Sequence, residues 1–545
     1  MELAHATKKR KKKKKKKRCT PAKRRPVKRA KGSSAQVEAT AAARKKRRKK
    51  KRPVCKKKPK PKPRPQSGTH PAAPRPATPP TSGPAGPVPP PPAPPLLSTI
   101  KSPIAVYGGT FGPRQAERLL WRAGFGPRPG QAKALAALGL EKAVLSLSRP
   151  SGSAPLDGPA PTDEGEPISP YDHYDHDLLY WLDRMVRSRH QLVERLALVF
   201  HDWFATSNDA VGSNRLMLDQ TNVFRANGLG NFKTMVTKIT QDPAMILFLD
   251  QASNTKWAPN ENYARELMEL FTLGADRGAY SEDDVRELAR SLTGWDYDWS
   301  DELGTHSFRW DEGNRWDPTH KTVFGKTDRW TWEDAVRMVV DHAKHPSFFV
   351  AKLWSYFIPT PPDADTAAKL EALYKGSGYA IRPVLEAILC TPQLYDGPRM
   401  VKPPTVFVAG MLRARGLGIT DNRWSWVLSG AGQRVYYPPD VAGWDDRRWL
   451  DTNTTLGRWQ AVYYLLDDAT ENPNWGSAYA VETPEAAVAR ARAFWGDPDL
   501  TGPAVTALQD FARRAIPADA MTWQHAQRQN ALRQLLAASP DYQTS

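Results

Sequence analysis

Cysteine is nearly missing from this chain, with three in 545 residues. Cys19 and Cys55 fall in a lysine-rich N-terminal region, and Cys390 closes an apolar helical run of Val384, Leu385, Ile388 and Leu389. That set can build neither a disulfide framework nor a cysteine-based zinc site, and Cys390 reads as a small buried apolar residue. Long apolar runs are missing too. Nothing approaches the ~20 apolar residues of a membrane helix. The positive run at 8–18 is not followed by the apolar stretch of roughly 7–15 residues that a secretion signal needs. These absences predict a chain without membrane spans, cytoplasmic by default.

Acidic side chains are all but absent from the first hundred residues, where 33 Lys and Arg face only Glu2 and Glu38. The formal net charge of +23 is therefore a property of that arm, because the remainder holds 47 basic and 55 acidic residues. The arm carries Lys/Arg blocks at 8–18, 23–31 and 44–64, then drifts into a proline-rich stretch ending at 89–95. Like charges at this density repel, and almost no apolar side chains are available to bury, which predicts disorder over residues 1–100. The proline-rich part should form a semi-extended polyproline II spacer. Residues 8–64 are the candidate partner-binding segment, for a polyanion such as nucleic acid, polyphosphate or an anionic surface. No aromatic residue interleaves the basic blocks, so the segment has nothing to stack on bases.

The usual catalytic signatures are missing as well. The "GGTFG" run at 108–112 lacks the Lys-Ser/Thr of a phosphate loop, and neither H-E-x-x-H nor G-x-S-x-G occurs. What is present after residue 110 is helical periodicity. Ala116, Leu119, Leu120 and Ala123 recur at i, i+3, i+4 and i+7. Similar patterns predict helices at 175–187, 191–204, 213–226, 231–239, 243–251, 260–273 and 281–293, with 150–170 as a loop. They resume at 331–343, 347–357, 364–375, 380–390 and 402–415, and after an irregular stretch at 434–450 return at 453–468, 484–495, 503–515 and 521–538. Between them, 295–299 and 307–310 alternate aromatic with polar residues around a turn at 301–304, a short hairpin. The predicted fold is mainly α: one large multi-helix domain over 110–470 with a β-hairpin insertion, and a helical extension over 471–545 packed on it.

Six blocks carry a family resemblance: "VFHDWFATS" (199–207), "NENYARELMELFTLG" (260–274), "YSEDDVRELARSLTGW" (280–295), "HPSFFVAKLWSYFI" (345–358), "VKPPTVFVAGMLRA" (401–414) and "YYPPDVAGWDDRRWLDTNTTLGRW" (436–459). In this order they resemble the bacterial domain-of-unknown-function 1800 family over roughly residues 110–470. The resemblance brings no reaction with it. It does imply export as the alternative to a cytoplasmic location, since family members often look exported. The family's stretch near "HDPGPKTVLG" stands here shortened as "WDPTHKTVFG" (316–325), which weakens any role carried over to His320.

Candidate chemistry centres on 260–274. Asn260 can cap that helix, and Glu266 and Glu269 at i, i+3 share one face beside Arg265. Carboxylates at the edge of a buried face need cations, so Arg286 and Arg290 are the expected partners in a register-fixing network. The sharper alternative is a divalent-metal site made by Glu266 and Glu269 with His201, with His320 beside Lys321 as an optional further ligand, the core of a metal-dependent hydrolase-type enzyme. His201 sits beside Asp202, which can orient its ring. His173 and His176, in "YDHYDHD" (171–177), read as an exposed helix start whose aspartates complement the dipole. Trp424, Trp426, Trp444 and Trp449 lie in irregular sequence and are candidates for a carbohydrate-binding groove. The leading expectation is a helical scaffold or binding body on a polyanion-seeking arm, with enzymatic activity left open.

Overall fold

In the computed structural model, residues 99–300, 305–311, 313–467 and 480–545 are described. The basic and proline-rich arm, the hairpin turn at 301–304 and the start of the C-terminal extension lie outside the described residues. The described residues belong to one compact unit. It is mainly helical, with three two-stranded antiparallel ladders. The predicted hairpin pairs Trp295–Ser300 with Thr305–Trp310, Trp295 opposite Trp310. A second ladder joins Lys321–Val323 to Lys326–Asp328, and a third, Thr162–Asp163 with Glu166–Pro167, lies in the stretch expected to be loop.

Helix starts follow from side-chain caps. Ser213, Asn231, Asp242, Asp363 and Asp451 each accept a backbone N–H two or three residues on, and Ser281 with Asp284 forms a reciprocal box. In the helix Gln191–Trp203, Leu192, Leu196, Val199, Phe200 and Trp203 are all buried, as their spacing predicts. Trp203 then meets Phe200, Phe204, Phe232 and Phe349 in an aromatic centre with ring separations of 5.3–6.4 Å.

The helix Pro404–Arg415 is buried on every side from Pro404 to Ala414, as expected of a helix apolar all round. It touches His176–Arg187, Arg423–Gly430 and Thr452–Leu466. Gly410 lets the Trp121 ring lie against its backbone, because a Cβ there would stand 2.2 Å from that ring. At the helix end, buried Arg413 donates to the carbonyls of Gly126 (3.1 Å) and Val186 (2.6 Å), with longer contacts to Met185 and Ser188. Those carbonyls include the open C-terminal end of His176–Arg187, so a guanidinium supplies the donors that the helix lacks. The C-terminal residues are woven into the same unit. Lys402 N–H donates to the Gln543 carbonyl (3.0 Å), Arg458 donates to the Gln543 side chain (2.9 Å), and Thr522–Ala538 packs on Thr452–Leu466.

The predicted helix at 260–273 divides. It is α-helical over Asn262–Glu266 and continues as a π-helical turn, Leu267–Thr272. The wider turn frees carbonyls that side chains from other elements then satisfy. Leu270 O accepts from Lys352 Nζ (3.0 Å), Phe271 O from Trp203 Nε1 (3.0 Å), and Thr272 O from His345 Nδ1 (2.8 Å). No helix among the described residues is long and apolar enough to cross a membrane.

Candidate ligand-binding site

The helix Gln191–Trp203 presents two polar stripes, and His201, singled out in the sequence, stands on the one that faces the core. His201 lies wholly inside. Its Nε2 accepts the Tyr436 N–H (3.0 Å), its ring packs against Trp181, Tyr436 and Trp444, and Nδ1 has no partner. Burial pushes its pKa down to about 3, so the imidazole is neutral. The other stripe, Arg195, Leu198, Val199 and Asp202 at i, i+3, i+4 and i+7, borders a cavity of about 220 Å³.

Three further segments close that cavity. From the helix His345–Ser355 and the residue after it come Lys352 and Tyr356, one turn apart on the same face. Met400 and Pro403 enter just ahead of Pro404–Arg415, with Gln433 behind them. The stretch 442–449 brings Trp444, Asp446 and Trp449. This last segment approaches closely because residue 443 is glycine, with φ +91°. A Cβ there would stand 2.3 Å from Asp202 Oδ1. Asp202 joins the walls: Oδ1 accepts the Trp444 N–H (2.8 Å) and Oδ2 accepts the Tyr356 hydroxyl (2.7 Å).

The charges are unevenly satisfied. Arg195 is 4% exposed, and its Nε makes one long bond to the Arg122 carbonyl (3.3 Å). Among the described residues its two terminal nitrogens have no acceptor. Burial lowers its pKa to about 10. Lys352 is lowered to about 8 by burial, against the pull of Asp202. Asp202 itself is raised by burial, a shift opposed by the Trp444 N–H, Tyr356 and Lys352. Gln433 Oε1 is taken by the Thr405 N–H (3.1 Å), which leaves its amide nitrogen as a donor. Asp446 brings a second carboxylate to the walls, so Arg195 and Lys352 face Asp202 and Asp446, and Leu198, Val199, Met400 and the two tryptophans supply apolar surface.

The residues singled out in the sequence are dispersed. Glu266 and Glu269 are half-buried and make no ion pair among the described residues. Burial, then the neighbouring Glu269, raises the Glu266 pKa to about 7. The expected cations are engaged elsewhere: Arg265 with Glu261 and Glu282, Arg286 with Asp283, Arg290 with Glu287 and Asp317. The cause is register, since each arginine finds an acid three or four residues away or on the next helix. Asn260 Oδ1 accepts the Asn262 N–H (3.0 Å) at the helix start.

His320 is exposed, and its carbonyl accepts from Arg290 (3.2 Å). Lys321 is buried on the Trp330 carbonyl (2.9 Å), over the Trp316 ring. No group of three or more His, Cys, Asp or Glu placed to hold a metal occurs among the described residues. Of the two histidines expected at an exposed helix start, His173 is exposed and His176 is not. His176 is buried, accepting the Ser169 N–H (2.9 Å) and facing Asp163 (3.2 Å). Of the four late tryptophans, Trp444 and Trp449 share the cavity, Trp424 is buried away from it, and Trp426 is exposed.

Arg195, Asp202, Lys352 and Tyr356 carried no recognisable motif, although all four stand inside the blocks or elements already picked out by the sequence. An Arg and an Asp seven residues apart were the available signal, on a helix that also carries Glu194 and His201 at the same spacing.

Fold and cavity together define a mainly helical protein with a small pocket lined by charged and aromatic side chains. The chain belongs to the family described as protein of unknown function (DUF1800), whose model matches residues 118–544. No curated protein and no solved structure matches it.

Proposed function

We propose that the body is a binding protein for a small organic anion, held in the cavity between Gln191–Trp203 and the 442–449 segment. One observation carries this reading: Arg195 is buried there with its terminal nitrogens unpartnered. A buried guanidinium whose terminal nitrogens lack acceptors is costly even with the pull of Asp202, and an anion accepting from it would lower that cost. Gln433 and Lys352 add donors, while Asp202 has both oxygens occupied. The apolar wall of Trp444, Trp449 and Met400 suits a compact carbon body. The volume of about 220 Å³ exceeds the about 150 Å³ of a cavity that takes benzene.

The test is a thermal-shift and calorimetric series with propionate, benzoate and orthophosphate on the whole chain. A carboxylate should raise the melting temperature in proportion to its occupancy. Arg195→Met should weaken binding at least tenfold, and equal affinity in the two proteins would remove the reading. The basic arm supplies a second, separate activity, non-specific attachment to polyanions through residues 8–64. Its support is compositional, the 33 Lys and Arg against two acids in the first hundred residues.

A further inference from the structure

We infer that Lys352 is a covalent site: its amine condenses with an aldehyde or ketone on the ligand whose anionic end Arg195 holds, so the substrate class is small oxo acids. This rests on the anion-binding reading of the cavity and adds the reaction to it.

Lys352 and Arg195 border the same cavity from different helices, one offering an amine and the other a carboxylate anchor. The lysine nitrogen has one protein acceptor, the Leu270 carbonyl at 3.0 Å, presented by the π-helical turn. That bond and the Trp203 ring 4.9 Å away fix the nitrogen, so little freedom is lost when it attacks. The buried Lys321 and Lys402 differ: Lys321 ends on a carbonyl under the second hairpin, and Lys402 ends on the Tyr542 carbonyl over Trp121.

Burial lowers the Lys352 pKa to about 8, as desolvation does for amine nucleophiles. At neutral pH that leaves roughly 200-fold more neutral amine than a lysine at the ordinary value of about 10.4.

The step balances without an oxidant or reductant. The amine lone pair forms the N–C bond and the carbonyl π pair moves onto oxygen. One proton passes from the new ammonium through solvent to that oxygen, and the second N–H proton follows it. The C–O bond then breaks, water leaves, and the nitrogen lone pair closes C=N. Asp202 is the carboxylate whose charge is felt at Lys352, and the Tyr356 hydroxyl and Trp444 N–H hold it in place. Tyr356 is a positioning residue, since its own pKa is pushed far above 10.

The experiment treats the full chain with pyruvate and cyanoborohydride at pH 7 and maps adducts by peptide mass spectrometry. The lysines of the basic arm are the internal reference. The Lys352 peptide should be labelled at least tenfold more than any arm peptide, and Lys352→Arg should lose that label. Propionate, which has no ketone, should compete and lower it at least tenfold. Labelling of Lys352 no higher than in the arm overturns the inference. If propionate still raises the melting temperature of the parent but not of Arg195→Met, the anion site survives and only the covalent step falls. If propionate has no effect and Lys352 stays unlabelled, both fall.

Discussion

Asp177 has no exposed surface, and neither of its carboxylate oxygens has a hydrogen-bond partner among the described residues. Burial, the largest cause, raises its pKa to about 7. A carboxyl whose folded pKa lies above its unfolded value of about 3.9 contributes its full stability below that value and loses it as pH rises through the folded pKa. Between about pH 4 and 7, Asp177 therefore makes the fold less stable as pH rises. Asp177→Asn should raise the melting temperature at pH 8 by several degrees and leave it nearly unchanged at pH 4. Scans at the two pH values check this, and an equal shift at both would show that Asp177 does not titrate in that window.

At this scale the sequence was readable in kind and misleading in detail. "VFHDWF" pointed to His201, the residue with the more familiar chemistry, while its neighbour Asp202 faces the cavity. Adjacent helical positions stand about 100° apart, and only the placement of the distant Trp444 and Tyr356 decides which one borders open space.

Among the elements, the clamp on His176–Arg187 is the most exposed to a single change. Arg413 donates to carbonyls at that helix end and at Gly126, and among the described residues no carboxylate forms an ion pair with it. Arg413→Met should cost about 3 kcal/mol, because buried carbonyls lose their donors while the side-chain volume is nearly kept. Urea unfolding monitored by circular dichroism measures it, and a loss under about 1 kcal/mol would mean that water replaces the guanidinium. Most helices were legible from their apolar spacing and caps, to within a few residues. The turn Leu267–Thr272 was not. Leu267, Leu270 and Phe271 are apolar neighbours on an α-helix and on a π-helical turn alike, so periodicity cannot separate the two. What selects the wider turn is the set of donors that meet its carbonyls, from residues 203, 345 and 352.

Over the whole molecule, the two activities proposed here are separable by charge. The arm holds the excess of positive charge, and the rest of the chain is mildly acidic. Affinity of the full chain for mixed-sequence DNA should fall steeply and linearly with log salt, and a variant beginning at residue 100 should lose that binding with its melting temperature unchanged. A flat slope would end the proposal for the arm.

Composition made this division legible at once. It could not reveal the cavity, whose walls come from residues 195–202, 352–356, 400–403 and 433–449. That dispersal has a kinetic consequence. Pairings so distant in sequence close large loops before any contact rewards them, so they belong to the slow part of folding. During refolding, helix signal should return well before affinity for a carboxylate does. The pocket then serves as an internal clock that registers only when the last long-range contacts have formed.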